Sequence, residues 1–117
     1  MEASWKVLTS NEQVDRVVKD SFTSPQVIFK HSIRCSLSES IYNHLNEWNK
    51  DQQVLTIHYL DIINYRPVSN YIEALFGILH ESPQIILLQQ GKVQYHESHY
   101  RIKGDKLEEE VNEPTLK

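Results

Sequence analysis

Apolar residues along this chain alternate between helical spacing and short β-rich runs. Val14, Val17 and Val18 repeat at i, i+3 and i+4, the pattern of one helical face. Just before them, Ser10-Asn11-Glu12-Gln13 fits a capping box, in which hydroxyl and amide side chains satisfy free backbone donors. The pattern predicts a helix over residues 11–22, stopped by Ser24-Pro25. Val27-Ile28-Phe29 is too short for a helix and rich in strand formers, so residues 26–31 read as a buried strand. Leu37, Ile41, Leu45 and Trp48 then mark a helix over residues 36–50, with Ser36 and Glu39 as a second capping box. The run from Val54 to Leu60 reads as a strand.

Pro67 suits a first helical turn, and Val68, Ile72, Leu75, Phe76 and Leu79 continue at helical spacing. After Ser82-Pro83, residues 84–89 form another buried strand. Gln90-Gly91-Lys92 is a turn, with Gly91 suited to positive φ. Val93 and Tyr95 alternate with polar neighbours, as the second strand of a hairpin does. A weaker helix over Ser98 to Asn112 turns Ile102, Leu107 and Val111 inward, and Glu108-Glu109-Glu110 is its solvated face. The first seven residues add a candidate edge strand. Two β-α-β links imply an α/β fold with a central mixed sheet flanked by helices on both faces, the first crossover right-handed.

The 117 residues suit a single domain over 1–117. With 39% hydrophobic and 24% charged residues, the chain has a globular rather than disordered balance. A net charge of −4 argues against a phosphate-binding surface, so no nucleic-acid partner is expected. The N-terminus shows no secretory signal, and no stretch approaches the roughly 20 apolar residues of a membrane span. The single cysteine, Cys35, leaves no partner for an internal disulfide. These features point to a cytoplasmic protein without membrane association.

Cys35 falls between the end of a predicted strand and the start of a predicted helix. A helix N-terminus offers unpaired N–H groups and partial positive charge, both favouring thiolate over thiol. Cysteines in such settings titrate at about 3.5 to 7.5, against about 8.5 for a free thiol. Lys30, His31 and Arg34 lie close in sequence and add to this, while Glu39 opposes it. The other reading is a small apolar side chain packed in a turn; the polar run Lys30-His31-Ser32-Ile33-Arg34 favours an exposed corner. Ser38 stands at i+3, where a C-x-x-C motif would place its second sulfur. It is either a hydrogen-bond partner for the thiolate or an ordinary early-helix serine. A monothiol exchanges its mixed disulfide only with another thiol molecule, whereas a dithiol can release itself.

The stretch from Phe29 to Ser38 resembles the F-K-H-S-x-x-C-x-x-S signature of the YtxJ family, thioredoxin-fold monothiol proteins also called bacilliredoxin C. The similarity extends through Asn64-Tyr65-Arg66-Pro67-Val68-Ser69-Asn70, Phe76-Gly77-Ile78, His80-Glu81-Ser82-Pro83-Gln84 and Ser98-His99, nearly the whole chain in register. The resemblance implies a thioredoxin-like fold in which Ser82-Pro83 is a cis-proline loop facing Cys35, although trans is the rule for such bonds. It implies that the Ser82 backbone pairs with an extended thiol substrate. It also implies removal of bacillithiol from S-bacillithiolated proteins through a Cys35 mixed disulfide, with bacillithiol as thiol co-substrate and no bound cofactor. Ser36 departs from the proline that many thioredoxin-fold motifs place after the nucleophile, which leaves the redox poise open. Ser32 occupies the place of the glutaredoxin lysine, so glutathione specificity is not carried over.

Other chemistry finds little support. Among six histidines, His96 and His99 are spaced i, i+3 at a strand-to-helix junction, and no compact set of three metal ligands appears. His44, His58 and His80 read as surface or satisfied positions. Asp61 reads as a turn cap, or else as a buried carboxylate below Cys35. No phosphate-binding glycine motif or nucleophile elbow occurs. Two functions stand: a monothiol oxidoreductase using Cys35, with Ser38, Ser82, Pro83, Arg34 and His31 binding substrate or stabilising the thiolate; or a redox-inert adaptor or general stress protein binding a protein partner in the same cleft. A monomer or weak dimer is expected.

Overall fold

Every residue of Gln26–His31 and of Gln84–Gln89 is buried, so these two runs must lie where both faces of a sheet are covered. The computed structural model describes residues 5–111 and places them at its centre. The strands are β1 (Lys6–Val7), β2 (Gln26–His31), β3 (Thr56–Asp61), β4 (Gln84–Gln89) and β5 (Lys92–Ser98), in the order β1-β3-β2-β4-β5. Strands β1, β3 and β2 run parallel, while β4 is antiparallel to both β2 and β5. The mixed sheet of the sequence reading is therefore present, and its expected edge strand is β1.

Alternation divides the apolar residues between two cores. Ile28, Leu60, Ile86 and Leu88 pack with Val14 and Val17 of α1 (Asn11–Asp20) and Val68 and Ile72 of α3 (Arg66–Phe76). Val27, Phe29, Ile57, Ile85 and Leu87 pack with Ile41 and Leu45 of α2 (Ser36–Asp51) and Leu107 of α4 (Gly104–Glu109). Each such side chain, fully buried, contributes on the order of 1.5–3 kcal/mol.

Several boundaries differ from the sequence reading. Helix α1 starts at the expected Ser10–Gln13 capping box but ends at Asp20, where the Ser21 hydroxyl donates to the Val18 carbonyl at 2.6 Å and the Phe22 N–H bonds the Lys19 carbonyl instead. The second capping box does not form: Cys35, not Ser36, is the N-cap of α2. Helix α3 stops before Gly77, which takes φ 70° and donates its N–H to the Glu73 carbonyl at 2.8 Å. Leu75 and Leu79, which continue the helical spacing in the sequence, are 46% and 72% exposed, and Leu79 lies beyond the helix.

The helix expected over 98–112 is broken. His99 takes φ 59° and opens a short 3-10 turn, His99–Arg101; Ile102 is buried but extended, and α4 follows from Gly104. Val111 lies beyond α4, and Asn112 lies outside the described residues. In the β4–β5 turn Gln90 joins Gly91 at positive φ, 58° and 75°.

Gly104 meets α2 so closely that a Cβ there would lie 2.2 Å from Trp48 Cγ. The indole cannot easily yield, since its Nε1 donates to Glu108 at 2.9 Å. Helix propensity alone would favour alanine by up to about 1 kcal/mol, but the clash is larger. Gly104→Ala should cost about 1–3 kcal/mol of overpacking, read as a lower urea midpoint; a raised midpoint would contradict this packing.

His58 is buried in β3, and its Nε2–H donates to Gln26 Oε1 at 2.7 Å, because the Gln26 amide nitrogen is committed to Ser24. Burial first, then the nearby Lys6 charge, lowers its pKa from 6.5 to about 4, with Asp20 pulling the other way. The unfolded chain therefore takes up a proton first as pH falls. The contribution is present above pH 6.5 and is lost on the way to about pH 4. The Tm advantage of wild type over His58→Asn should shrink across that window; an advantage independent of pH would refute it.

Candidate thiol site

The end of β2 delivers the chain to Cys35. Its N–H donates to the Ser32 carbonyl at 3.3 Å, and its carbonyl accepts the Glu39 N–H at 3.0 Å, the first bond of α2. As N-cap, Cys35 has extended φ and ψ of −114° and 120°, and its side chain makes no capping bond. Cys35 is half-buried, at the N-terminus of a 16-residue helix whose dipole favours negative charge there.

Ser82-Pro83 lies at the same end of the sheet. Gln84, the first residue of β4, pairs with Lys30, near the last residue of β2. The loops leaving β2 and entering β4 are therefore neighbours. The Ser82-Pro83 bond is cis. Pro83 is buried, and its carbonyl accepts the His99 N–H at 3.0 Å. Ser82 Oγ is buried without a partner.

The remaining residues named from sequence separate into two sets. His31 and Ser38 are brought together: Nδ1 and Oγ share a 2.7 Å hydrogen bond, and Ser38 also accepts the Ser32 N–H at 3.1 Å. Ser38 is fully buried, so its hydroxyl is engaged by the β2–α2 connection rather than by the sulfur. The His31 ring stacks between Phe29 and Tyr42, at 5.5 and 5.2 Å. Burial lowers its pKa, against the raising effect of Glu39 and Asp61, so the ring is not a cation at neutral pH. Arg34 is the exposed member, beside the thiol in sequence and anchored by its N–H to Ser32 Oγ at 3.3 Å.

Asp61 caps the turn after β3, accepting from the N–H of Ile63 at 2.9 Å and the side chain of Asn64 at 2.7 Å. It is not a buried carboxylate below the thiol. His44 is satisfied, accepting the Gly104 N–H at 3.1 Å. Among the described residues no group of three His, Cys, Asp or Glu side chains could hold a metal.

Sequence reasoning passed over a cluster on the other face of β2. Lys30 is fully buried there, beside His80, Ser69 and Arg66. The available signal was a lysine ending the run Val27-Ile28-Phe29 without leaving the strand.

The fold and the single thiol at a helix N-terminus define a thioredoxin-fold thiol-redox protein. Residues 6–107 match the family of monothiol bacilliredoxin BrxC, and the chain belongs to that family. Among solved structures it is similar to a candidate oxidoreductase with a thioredoxin fold, at 25% identity and TM-score 0.80, covering 90% of this chain and 91% of that one. It is also similar in fold to thioredoxin from Trypanosoma brucei brucei (15% identity, TM-score 0.74, 92% and 87% covered). Mitochondrial thioredoxin 3 from Saccharomyces cerevisiae gives 14% identity and TM-score 0.71, with 90% and 91% covered. No helix among the described residues is long and apolar enough to cross a membrane.

Removing the Ser38 hydroxyl would leave the Ser32 N–H and His31 Nδ1 unpaired at a buried site. Ser38→Ala should therefore lower stability by about 1–3 kcal/mol in urea denaturation; an unchanged midpoint would show that water replaces the hydroxyl.

Proposed function

We propose that this chain removes bacillithiol from S-bacillithiolated proteins by monothiol exchange at Cys35. The observation that supports the reading most is the placement of the chain's one thiol, half-buried at the α2 N-terminus, on the same sheet end as the Ser82-Pro83 loop.

The Cys35 thiolate attacks the bacillithiol sulfur of the mixed disulfide. A Cys35–bacillithiol disulfide forms, and the protein thiolate leaves and takes a proton from solvent. This step is exchange without net oxidation. A second thiol, bacillithiol or a partner reductant, then attacks the adduct; the two small thiols leave as a disulfide and Cys35 returns as thiolate. The backbone of Ser82 pairs with the extended substrate, and the exposed Arg34 guanidinium attracts the acidic end of the small thiol. Ser38 and His31 act one layer back by fixing the connection that presents the sulfur. Bacillithiol is co-substrate, and no bound cofactor is needed. The reaction belongs in the cytosol, where a small-thiol pool keeps cysteines reduced, and a monomer suffices for it.

Incubation with an S-bacillithiolated protein should transfer one bacillithiol to the wild-type chain, read by intact mass, and restore the substrate's free thiol. Cys35→Ser should acquire no adduct and release nothing. A wild type that stays unmodified while binding the substrate protein as well as Cys35→Ser does would favour the redox-inert adaptor instead.

A further inference from the structure

The His80 ring is held from both sides. Arg66 Nη1 lies 3.0 Å from Nε2, while Ser69 Oγ lies 3.0 Å and Lys30 Nζ 3.4 Å from Nδ1. A guanidinium can only donate, so Nε2 is bare and the neutral ring carries its proton on Nδ1. That N–H is given to Ser69 Oγ, with Lys30 Nζ alongside. As an ammonium, Lys30 turns donors toward a donor. As a neutral amine, it offers a lone pair to the same N–H.

The charges around the pair agree. Burial is the main cause that lowers the Lys30 pKa from 10.5 to about 8; the Glu73 carboxylate opposes it and the Arg66 guanidinium adds to it. Burial, then Lys30 and Arg66, also lower the pKa of His80, against Glu73 and Glu81. The sheet neighbours of Lys30, Leu60 and Gln84, carry no charge.

Lys30 also spans the loop that carries Ser82. Its backbone pairs with Gln84, just after Pro83, and its side chain reaches His80, two residues before Ser82. Gln84 Nε2 closes the same loop by donating to the Leu79 carbonyl at 3.1 Å. Resting on the exchange reading above, we propose that Lys30, Ser69 and Arg66 are positioning residues. They clamp His80 so that the Leu79–Gln84 segment presents Ser82 to a disulfide substrate at Cys35, and the clamp tightens when Lys30 gives up its proton.

The test compares KM and kcat for a bacillithiolated peptide from about pH 6.5 to 9.5 in wild type, Lys30→Met and Ser69→Ala. In wild type KM should fall as pH rises through the Lys30 titration, and in Lys30→Met it should stay high and flat, with kcat little changed. Ser69→Ala, the gentler change, should raise KM about three- to tenfold and keep the pH dependence. The alkylation rate of Cys35 against pH should superimpose for all three, since none touches the thiol. Two-bond ¹H–¹⁵N spectra read His80 without turnover and should show its Nδ1–H form in wild type. An Nε2–H ring, or KM values within about twofold of wild type at every pH in both variants, overturns the clamp. An inactive wild type with an Nδ1–H ring overturns the exchange reading and leaves the clamp standing.

Discussion

The antiparallel register of β2 against β4, with Phe29 opposite Ile85 and Lys30 opposite Gln84, is the constraint on which the site depends. It is held on both faces, because the alternating residues of the two strands belong to different cores. A slip by one residue would exchange those faces and place Lys30 against Ile41 and Leu45. The same register sets the distance along the chain between the loop leaving β2 and the loop entering β4. Packing far from the sulfur thereby decides what stands beside it.

Around this register the molecule spends polar groups on fixing loops. Ser38 and His31 secure the connection from β2 to α2, and Asp61 secures the turn after β3. The Pro83 carbonyl is taken by His99, and the Leu79 carbonyl by Gln84. All of these but Leu79, an exposed residue, are buried or half-buried, and each of the groups finds a specific partner, as a low-dielectric interior requires. The sulfur has no such capping bond. The residues nearest it in sequence hold the backbone instead.

The parts of this arrangement carried by local periodicity were readable from the chain. The two buried strands, the first capping box and the position of Cys35 between strand and helix follow from spacing and propensity. Elements ended by backbone conformation were harder to see. Gly77 at positive φ truncates α3, and His99, a non-glycine at positive φ, breaks the expected last helix; neither leaves a mark on hydrophobic pattern. The choice of Cys35 over Ser36 as N-cap is a shift of one residue, within the usual uncertainty of helix ends. The clamp on His80 was illegible for a different reason: Lys30, Arg66, Ser69 and His80 are scattered over 50 residues and become one cluster only through the strand order. Ser38 and His31 were recognised as relevant, but their bond to each other needed the fold to show it.

The aromatic wall behind the site has a spectroscopic consequence. Trp5 stacks on Tyr42 at 5.5 Å and on Phe29 at 5.9 Å, and Tyr42 and Phe29 enclose His31. The indole nitrogen is tied to Asn46 of α2 at 3.0 Å. Through Asn46 and the rings of Tyr42 and His31, this indole is joined to α2, the helix that Cys35 caps. Trp48, by contrast, sits against Gly104 and Glu108 on α4. The two indoles thus stand in separate surroundings, one within the aromatic stack around His31 and the other at the contact of α2 with α4, so their emission reports on opposite ends of α2.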